Sequence, residues 1–331
     1  MPKIRDELKK YQPVVYQVLN NALKNNRLSH CYLFAGPHGT MKLEAAYLLA
    51  QSLVCEKKED GWACEECGSC RRMKNGNYAD FKYLDGTVSL IKNKDILDLQ
   101  SQFHQTALES AGRKVFIING CENMTAKSAN SLLKFIEEPS GSLTGIFITE
   151  QLERVLPTIV SRCQSINFQP ANRLQLYEDA VANGMDELSA HLTSQMASSR
   201  QEMQVLSTDP EFSSALMIFA EFMNYYFRNP ASAVIYLQEN GFKGPDKKSS
   251  ATMFRHFLTI ATIFVNDHYN GTEIEDETWT GLLDKARDSS FDSVGFLNTV
   301  SQCRDALIIA VNVPLLIDQF LYKLSGGADG K

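Results

Sequence analysis

No low-complexity tract and no long apolar run occurs in this chain of 331 residues. Even "ALIIAVNVPLLI" (306–317) is broken by Asn312 and Pro314, too short and too interrupted to span a bilayer. The first residues, "MPKIRDELKKYQP", lack the apolar segment of a secretory signal, so a cytoplasmic protein is expected. Basic excess is missing as well: 33 Lys and Arg against 39 Asp and Glu leave a net charge of −6. That balance argues against a chain that grips nucleic acid alone, although a shared contact stays open. Without a secretory signal, the eight cysteines point to metal or buried thiols rather than disulfides.

What is present divides by pattern. Residues 1–169 alternate helical and strand signals. "VVYQVLNNALKNN" reads as an amphipathic helix with Val14, Val18 and Leu19 near one face. "CYLFA" (31–35), "FKYLDG" (81–86), "KVFIING" (114–120), "GIFIT" (145–149) and "CQSINF" (163–168) read as strands. Between them, "KLEAAYLLAQSLV" (42–54) is helical, and Ile96, Leu99 and Phe103 mark another helix by their spacing. Thr125 is placed to cap the helix "AKSANSLLKFIEE", which Pro139 should stop. Such alternation implies a mostly parallel sheet covered on both faces, an α/β fold. After Pro170 the strand signal disappears. A small helical unit should occupy 170–207, with Gly184 between two helices, and an aromatic-rich helical region 208–331. That region should break at Asn229-Pro230, at Gly241–Pro245 and at the acidic run "GTEIEDETW", with Pro314 starting, kinking or breaking a helix near the end. Its apolar density fits a bundle core or a face that also packs on other subunits.

Four cysteines, Cys55, Cys64, Cys67 and Cys70, follow C-x8-C-x2-C-x2-C. A C-x2-C turn lets two sulfurs reach one ion, and four thiolates complete a closed, structural zinc site. The other reading is a set of buried or redox thiols. Arg71, Arg72 and Lys74 beside them could touch nucleic acid or simply balance the charge of a four-thiolate centre. The remaining Cys31, Cys121, Cys163 and Cys303 read as buried small hydrophobes.

"GPHGTMKLEAA" (36–46) sits between a strand and a helix, as a phosphate-binding loop does. Gly36, Gly39 and Lys42 survive from G-x-x-x-x-G-K-[ST]. Met41 replaces the second glycine and Leu43 the magnesium-binding hydroxyl. After "KVFII", Asn119, Gly120 and Cys121 stand where magnesium-holding acids usually begin, and Glu122 arrives late. Both halves of the magnesium machinery are missing, which favours a degenerate loop over a working site or a chance turn. His38 lies in the loop with no neighbouring nucleophile or carboxylate in the sequence. Ser161-Arg162-Cys163 follows a short helix at a sheet edge. Arg162 could reach a neighbouring subunit's nucleotide or make a surface salt bridge. Glu137 and Glu138 lie at a helix end, where two acids oppose the helix dipole and hint at a partner.

Taken together, "HCYLFAGPHGTMK", the four-cysteine insert, "SANSLLKFIEEP" and "LPTIVSRC", in this order, resemble bacterial clamp-loader AAA+ subunits of DNA polymerase III. The specific motifs cover residues 1–170. The resemblance implies a RecA-like AAA+ domain with a zinc module at 55–70, a helical lid over 170–207 and a helical collar over 208–331. Among such subunits this chain is similar to the kind that has lost its own ATP site and acts as a rigid stator. Cys55, Cys64, Cys67 and Cys70 then match the zinc module, and Gly36, Gly39 and Lys42 what remains of the nucleotide loop. Arg162, beside Ser161, matches an arginine finger acting in trans on ATP held by an adjacent gamma/tau subunit. Glu150, next to Thr149, occupies the place where active relatives sense the γ-phosphate with a small polar residue. Implied partners are gamma/tau and delta subunits in a five-membered ring, the sliding clamp and primed DNA. Two other classes stay in play: a gamma/tau-like ATPase using its own site, and a zinc-finger DNA-binding protein with an incidental loop.

Overall fold

The computed structural model describes residues 3–104, 106–137, 142–289, 291–308 and 313–324. Two units emerge, Met1–Asn172 and Arg173–Lys331. In the first, helices α1 (Ile4–Tyr11) and α2 (Pro13–Lys24) precede strand β1 (Cys31–Ala35). There follow α3 (Lys42–Val54), α4 (Gly68–Lys74), β2 (Phe81–Asp85), α5 (Asn93–His104), β3 (Lys114–Asn119), α6 (Ala126–Glu137), β4 (Leu143–Thr149), α7 (Pro157–Val160) and β5 (Gln164–Asn167). The five strands form one parallel sheet in the order β2-β3-β4-β1-β5, the order of a RecA-like AAA+ sheet.

Apolar residues cover both faces, as parallel strands require. On one side Tyr32, Phe34, Ile117, Ile146 and Ile148 pack with residues of α1 to α4. On the other, Leu33, Phe116, Ile118 and Phe147 pack with residues of α5, α6 and α7. Phe116 and Phe147 meet edge-to-face at 5.7 Å. Thr125 caps α6 through the Ser128 N–H at 3.1 Å, as its place before the apolar run implies. Pro139 and Glu138 lie outside the described residues.

Two expectations need correction. In α2 burial falls on Val15 and Leu19, whereas Val14 is 72% exposed, because the helix turns its apolar stripe one residue further round. Cys31 and Cys163 are not separate thiols but form a disulfide. Tyr32 pairs with Gln164, so the two cysteines sit side by side one step earlier, with Cα atoms 4.7 Å apart. Their sequence separation of 132 conceals that register in the sequence. Cys121 and Cys303 are buried free thiols.

The second unit is helical: α8 (Arg173–Ala182), α9 (Glu187–Met196), α10 (Arg200–Ser207), α11 (Pro210–Arg228), α12 (Pro230–Asn240), α13 (Lys247–Asn270), α14 (Glu277–Asp288), α15 (Ser293–Ile308) and α16 (Val313–Leu324). Asp186, Ser199, Asp209, Asn229, Asp246 and Asp276 each accept a backbone N–H at a helix start. Pro314 is the second residue of α16, so it starts that helix rather than kinking it. The core gathers Phe219, Phe222, Phe254, Phe257, Phe264, Trp279 and Phe320, many of them edge-to-face. Asp267, 3% exposed, accepts from Trp279 Nε1 at 3.1 Å and lies 2.8 Å from His191 Nε2, which joins α9 to α13 and α14. No described helix is long and apolar enough to cross a membrane.

Candidate functional site

The carboxyl ends of β1, β3 and β4 meet at one edge of the sheet, where open α/β sheets place their ligands. The turn after β1 starts at Gly36. A Cβ there would lie 2.4 Å from Phe168 O, so glycine is required by the passing chain after β5 and not only by a phosphate. Met41 takes the left-handed backbone (φ 61°) that a glycine adopts without cost, so the loop keeps its path while the residue changes. Leu43, the second residue of α3, packs against the core on that face of the sheet.

Lys42 decides what the loop can do. It is only 6% exposed, and its ammonium donates to Pro37 O and to Thr40 Oγ1, the latter at 3.2 Å. Thr40 Oγ1 itself donates to Pro37 O at 2.8 Å. The lysine therefore satisfies its own loop instead of pointing at a phosphate. Burial lowers its pKa, while Glu150, Glu122 and Glu44 act the other way.

Acids close the mouth. His38 Nδ1 lies 2.7 Å from Glu150 Oε1, so the histidine has the carboxylate partner that its sequence neighbours do not supply. Glu122 Oε1 accepts the Glu150 N–H at 3.1 Å, and Glu122 Oε2 is buried with no partner among the described residues. Asn119 donates to Tyr83 Oη at 3.2 Å, and Tyr83 Oη to Asp85 at 3.0 Å, tying the ends of β3 and β2 together. Gly120 has φ 66°, and a Cβ there would stand 2.9 Å from Thr87 N and 3.0 Å from the Gly86 carbonyl carbon. A carboxylate side chain at position 120 has no room. The cleft at this edge, 190 Å³, presents Glu122 and Glu150 and one cation, Arg154. Phosphate would meet more negative than positive charge.

The four-cysteine cluster is built between α3 and α4. Cys55 follows α3, Cys67 precedes α4 and Cys70 lies within it. The four sulfurs all lie within 4.8 Å of one another and could hold a metal ion. Measured separations are 3.6 Å (Cys55–Cys64), 3.8 Å (Cys55–Cys67) and 3.4 Å (Cys67–Cys70). Tetrahedral thiolates about 2.3 Å from zinc would stand roughly 3.8 Å apart, so the donor set fits that ion. The N–H groups of Cys64 and Cys67 point at Cys55 Sγ and Cys64 Sγ, at 3.4 and 3.3 Å, a charge-favouring arrangement for thiolates. Burial would raise the Cys67 thiol, but donors from Cys70 and Glu56 bring it down to about 6. Burial and the Cys67 sulfur push Cys70 up. The cluster is fastened to the body by Trp62, stacked on Tyr16 at 5.3 Å and donating to Asn20 at 3.0 Å. Gln51 Nε2 adds a bond to Cys70 O at 2.9 Å. Arg72 forks onto Glu109 with two 2.8 Å bonds and covers the Tyr78 ring, so this cation is engaged within the fold.

Arg162 lies between α7 and β5. Its Nε donates to Glu137 Oε1 and its Nη1 to Thr158 O at 3.0 Å and Ser161 Oγ at 3.4 Å. The guanidinium stays partly exposed (side chain 36%). Glu137 and Glu150 were not singled out as site groups by spacing. The only signal for Glu137 was an acid at the wrong end of a helix.

The sequence profile described as "DNA polymerase III, delta subunit" matches residues 11–172. A delta-prime subunit of DNA polymerase III from Bacillus subtilis is 32% identical over 97% of this chain and 98% of its own length. A delta-prime subunit from Pseudomonas aeruginosa is 37% identical over 41% of this chain and 42% of its own length. The tau subunit of Bacillus subtilis shares 33% identity over 48% of this chain but only 28% of that protein.

Proposed function

Since the chain belongs to the delta-prime subunit family of DNA polymerase III, we propose that it is a clamp-loader subunit that does not turn over ATP itself. Lys42 carries this reading. A phosphate entering the loop must first pull the ammonium from Pro37 O and Thr40 Oγ1, then face Glu150 and Glu122. Magnesium would find Leu43 in place of a hydroxyl, and Asn119 and Gly120 in place of acids. A closed loop of this kind serves as scaffold.

The chemistry lies instead at Arg162, which acts in trans on ATP bound by an adjacent gamma/tau subunit. The lid (170–207) and collar (208–331) join it to gamma/tau and delta subunits in a five-membered ring that loads the sliding clamp on primed DNA. An acidic chain suits a ring in which other subunits grip most of the DNA. The ion of Cys55, Cys64, Cys67 and Cys70 is zinc. It organises the insert and takes no part in hydrolysis, since four thiolates leave no open position.

Calorimetric titration of ATP and magnesium into the purified chain should give no binding heat, and no phosphate should be released. Magnesium-dependent turnover abolished by Lys42→Ala would establish a motor and refute the scaffold reading. In the reconstituted loader, Arg162→Ala should depress DNA-stimulated hydrolysis, where arginine fingers are worth about 10³–10⁵ at the site they serve. An unchanged rate would remove the role of Arg162.

A further inference from the structure

We propose that Glu137 is a positioning residue for Arg162: it holds the guanidinium through Nε and leaves Nη2 without a hydrogen-bond partner among the described residues. This rests on the reading of Arg162 as an arginine that serves a neighbour's ATP.

An acid as the last residue of α6 is unfavourable, because the negative end of the helix dipole lies there. The structure gives that acid a purpose: Glu137 Oε1 accepts from Arg162 Nε, 25 residues on. Thr158 O and Ser161 Oγ take Nη1 at 3.0 and 3.4 Å. Acceptors on two edges of a planar group fix both its position and its tilt. Among the described residues Nη2 makes no hydrogen bond, so its N–H on the side away from Nε is the donor that a phosphate oxygen can use. Both partners are partly exposed, 36% and 45%, so an incoming subunit can reach them.

Glu137 has two opposing effects. Its negative charge weakens the attraction between Arg162 and a phosphate, but at this exposure water screens that attraction strongly. Its geometric restraint is not screened. An arginine otherwise rotates freely on a long side chain, and misplacement by an ångström costs about 10²-fold in rate. Positioning therefore outweighs charge attenuation.

The test uses the loader reconstituted with gamma/tau and delta subunits and follows DNA-stimulated ATP hydrolysis. Glu137→Ala should lower kcat about 5–10-fold with KM for ATP changed less than about twofold. Glu137→Gln keeps an acceptor oxygen for Nε and should restore most of the rate. In an Arg162→Ala chain, Glu137→Ala should cause no further loss. Removing an acid from a helix carboxyl end favours the helix, so Glu137→Ala should melt no lower than the parent. In the isolated chain, the Arg162 Nε–H proton should exchange slowly in the parent and in Glu137→Gln, and rapidly in Glu137→Ala. If Arg162→Ala leaves hydrolysis unchanged, the reading of Arg162 fails and takes the positioning role with it. If Arg162→Ala slows hydrolysis while Glu137→Ala leaves it unchanged or raises it, the positioning role alone is overturned.

Discussion

Gly120 offers the sharpest test of why the nucleotide edge is closed to repair. Its backbone is left-handed (φ 66°), which costs a residue with a Cβ about 1–2 kcal/mol. The added Cβ would also stand 2.9 Å from Thr87 N and 3.0 Å from the Gly86 carbonyl carbon, both backbone atoms that cannot swing away. Overpacking of this kind costs about 1–3 kcal/mol. Gly120→Ala should therefore lose about 2–5 kcal/mol. Gly76 supplies the control: its φ is 72°, yet nothing lies within 4 Å of a Cβ built there. Gly76→Ala should lose only the conformational part, about 1–2 kcal/mol. Denaturant titration followed by circular dichroism reads both as midpoint shifts at constant slope. Equal losses in the two variants would mean that the crowding at Thr87 is not real. No loss at Gly120 would mean that the turn after β3 is not left-handed. A glutamate at 120, the change a working site would need, should be worse than alanine.

Two further outcomes follow from other groups. Metal analysis of the purified chain should find one zinc, lost when Cys64 and Cys67 are both replaced by serine, with proteolysis then cutting within 55–70; a metal-free parent refutes the zinc site. Burial lowers the pKa of His256 below its ordinary 6.5 despite the Asp209 carboxylate nearby. Below pH 6.5 the unfolded chain then binds more protons at this histidine than the folded one, so stability is full above 6.5 and falls as pH drops through the lower folded value. His256→Gln should flatten that slope in melts taken between pH 7 and 5, and an unchanged slope would refute the assignment.

The strands and their order of appearance were legible because each is a short apolar run bounded by polar turns. β1 and α3 match their expected residues throughout, and β4 begins two residues earlier than expected, at Leu143. The cysteine cluster was equally readable, since its four members lie within sixteen residues. What escaped are pairings made between distant segments. The Cys31–Cys163 bond depends on β5 joining β1 at the sheet edge, and His38 meets Glu150 only because β4 lies beside β1. Sequence patterns report periodicity within an element, and these contacts belong to the order of strands.

Lys42 shows the deeper limit. A retained lysine in a glycine loop reads as a remnant of phosphate binding, and residue type alone cannot say which way its ammonium turns. Here the direction is set by competition. Pro37 O and Thr40 Oγ1 are close and fixed, whereas Glu150 and Glu122, which also attract the ammonium, are engaged by His38 and by the Glu150 N–H. Bending back gives the buried cation two acceptors within its own turn, which a desolvated ammonium needs. The carboxylates then remain to hold each other's neighbours, Glu122 on the Glu150 N–H and Glu150 on His38. Each replacement at this edge thus supports the next, so restoring Leu43 to serine or Asn119 to aspartate singly leaves the lysine where it is. A return to nucleotide binding would need Glu150 removed as well, because its carboxylate repels the phosphate that would have to draw the lysine out of its turn.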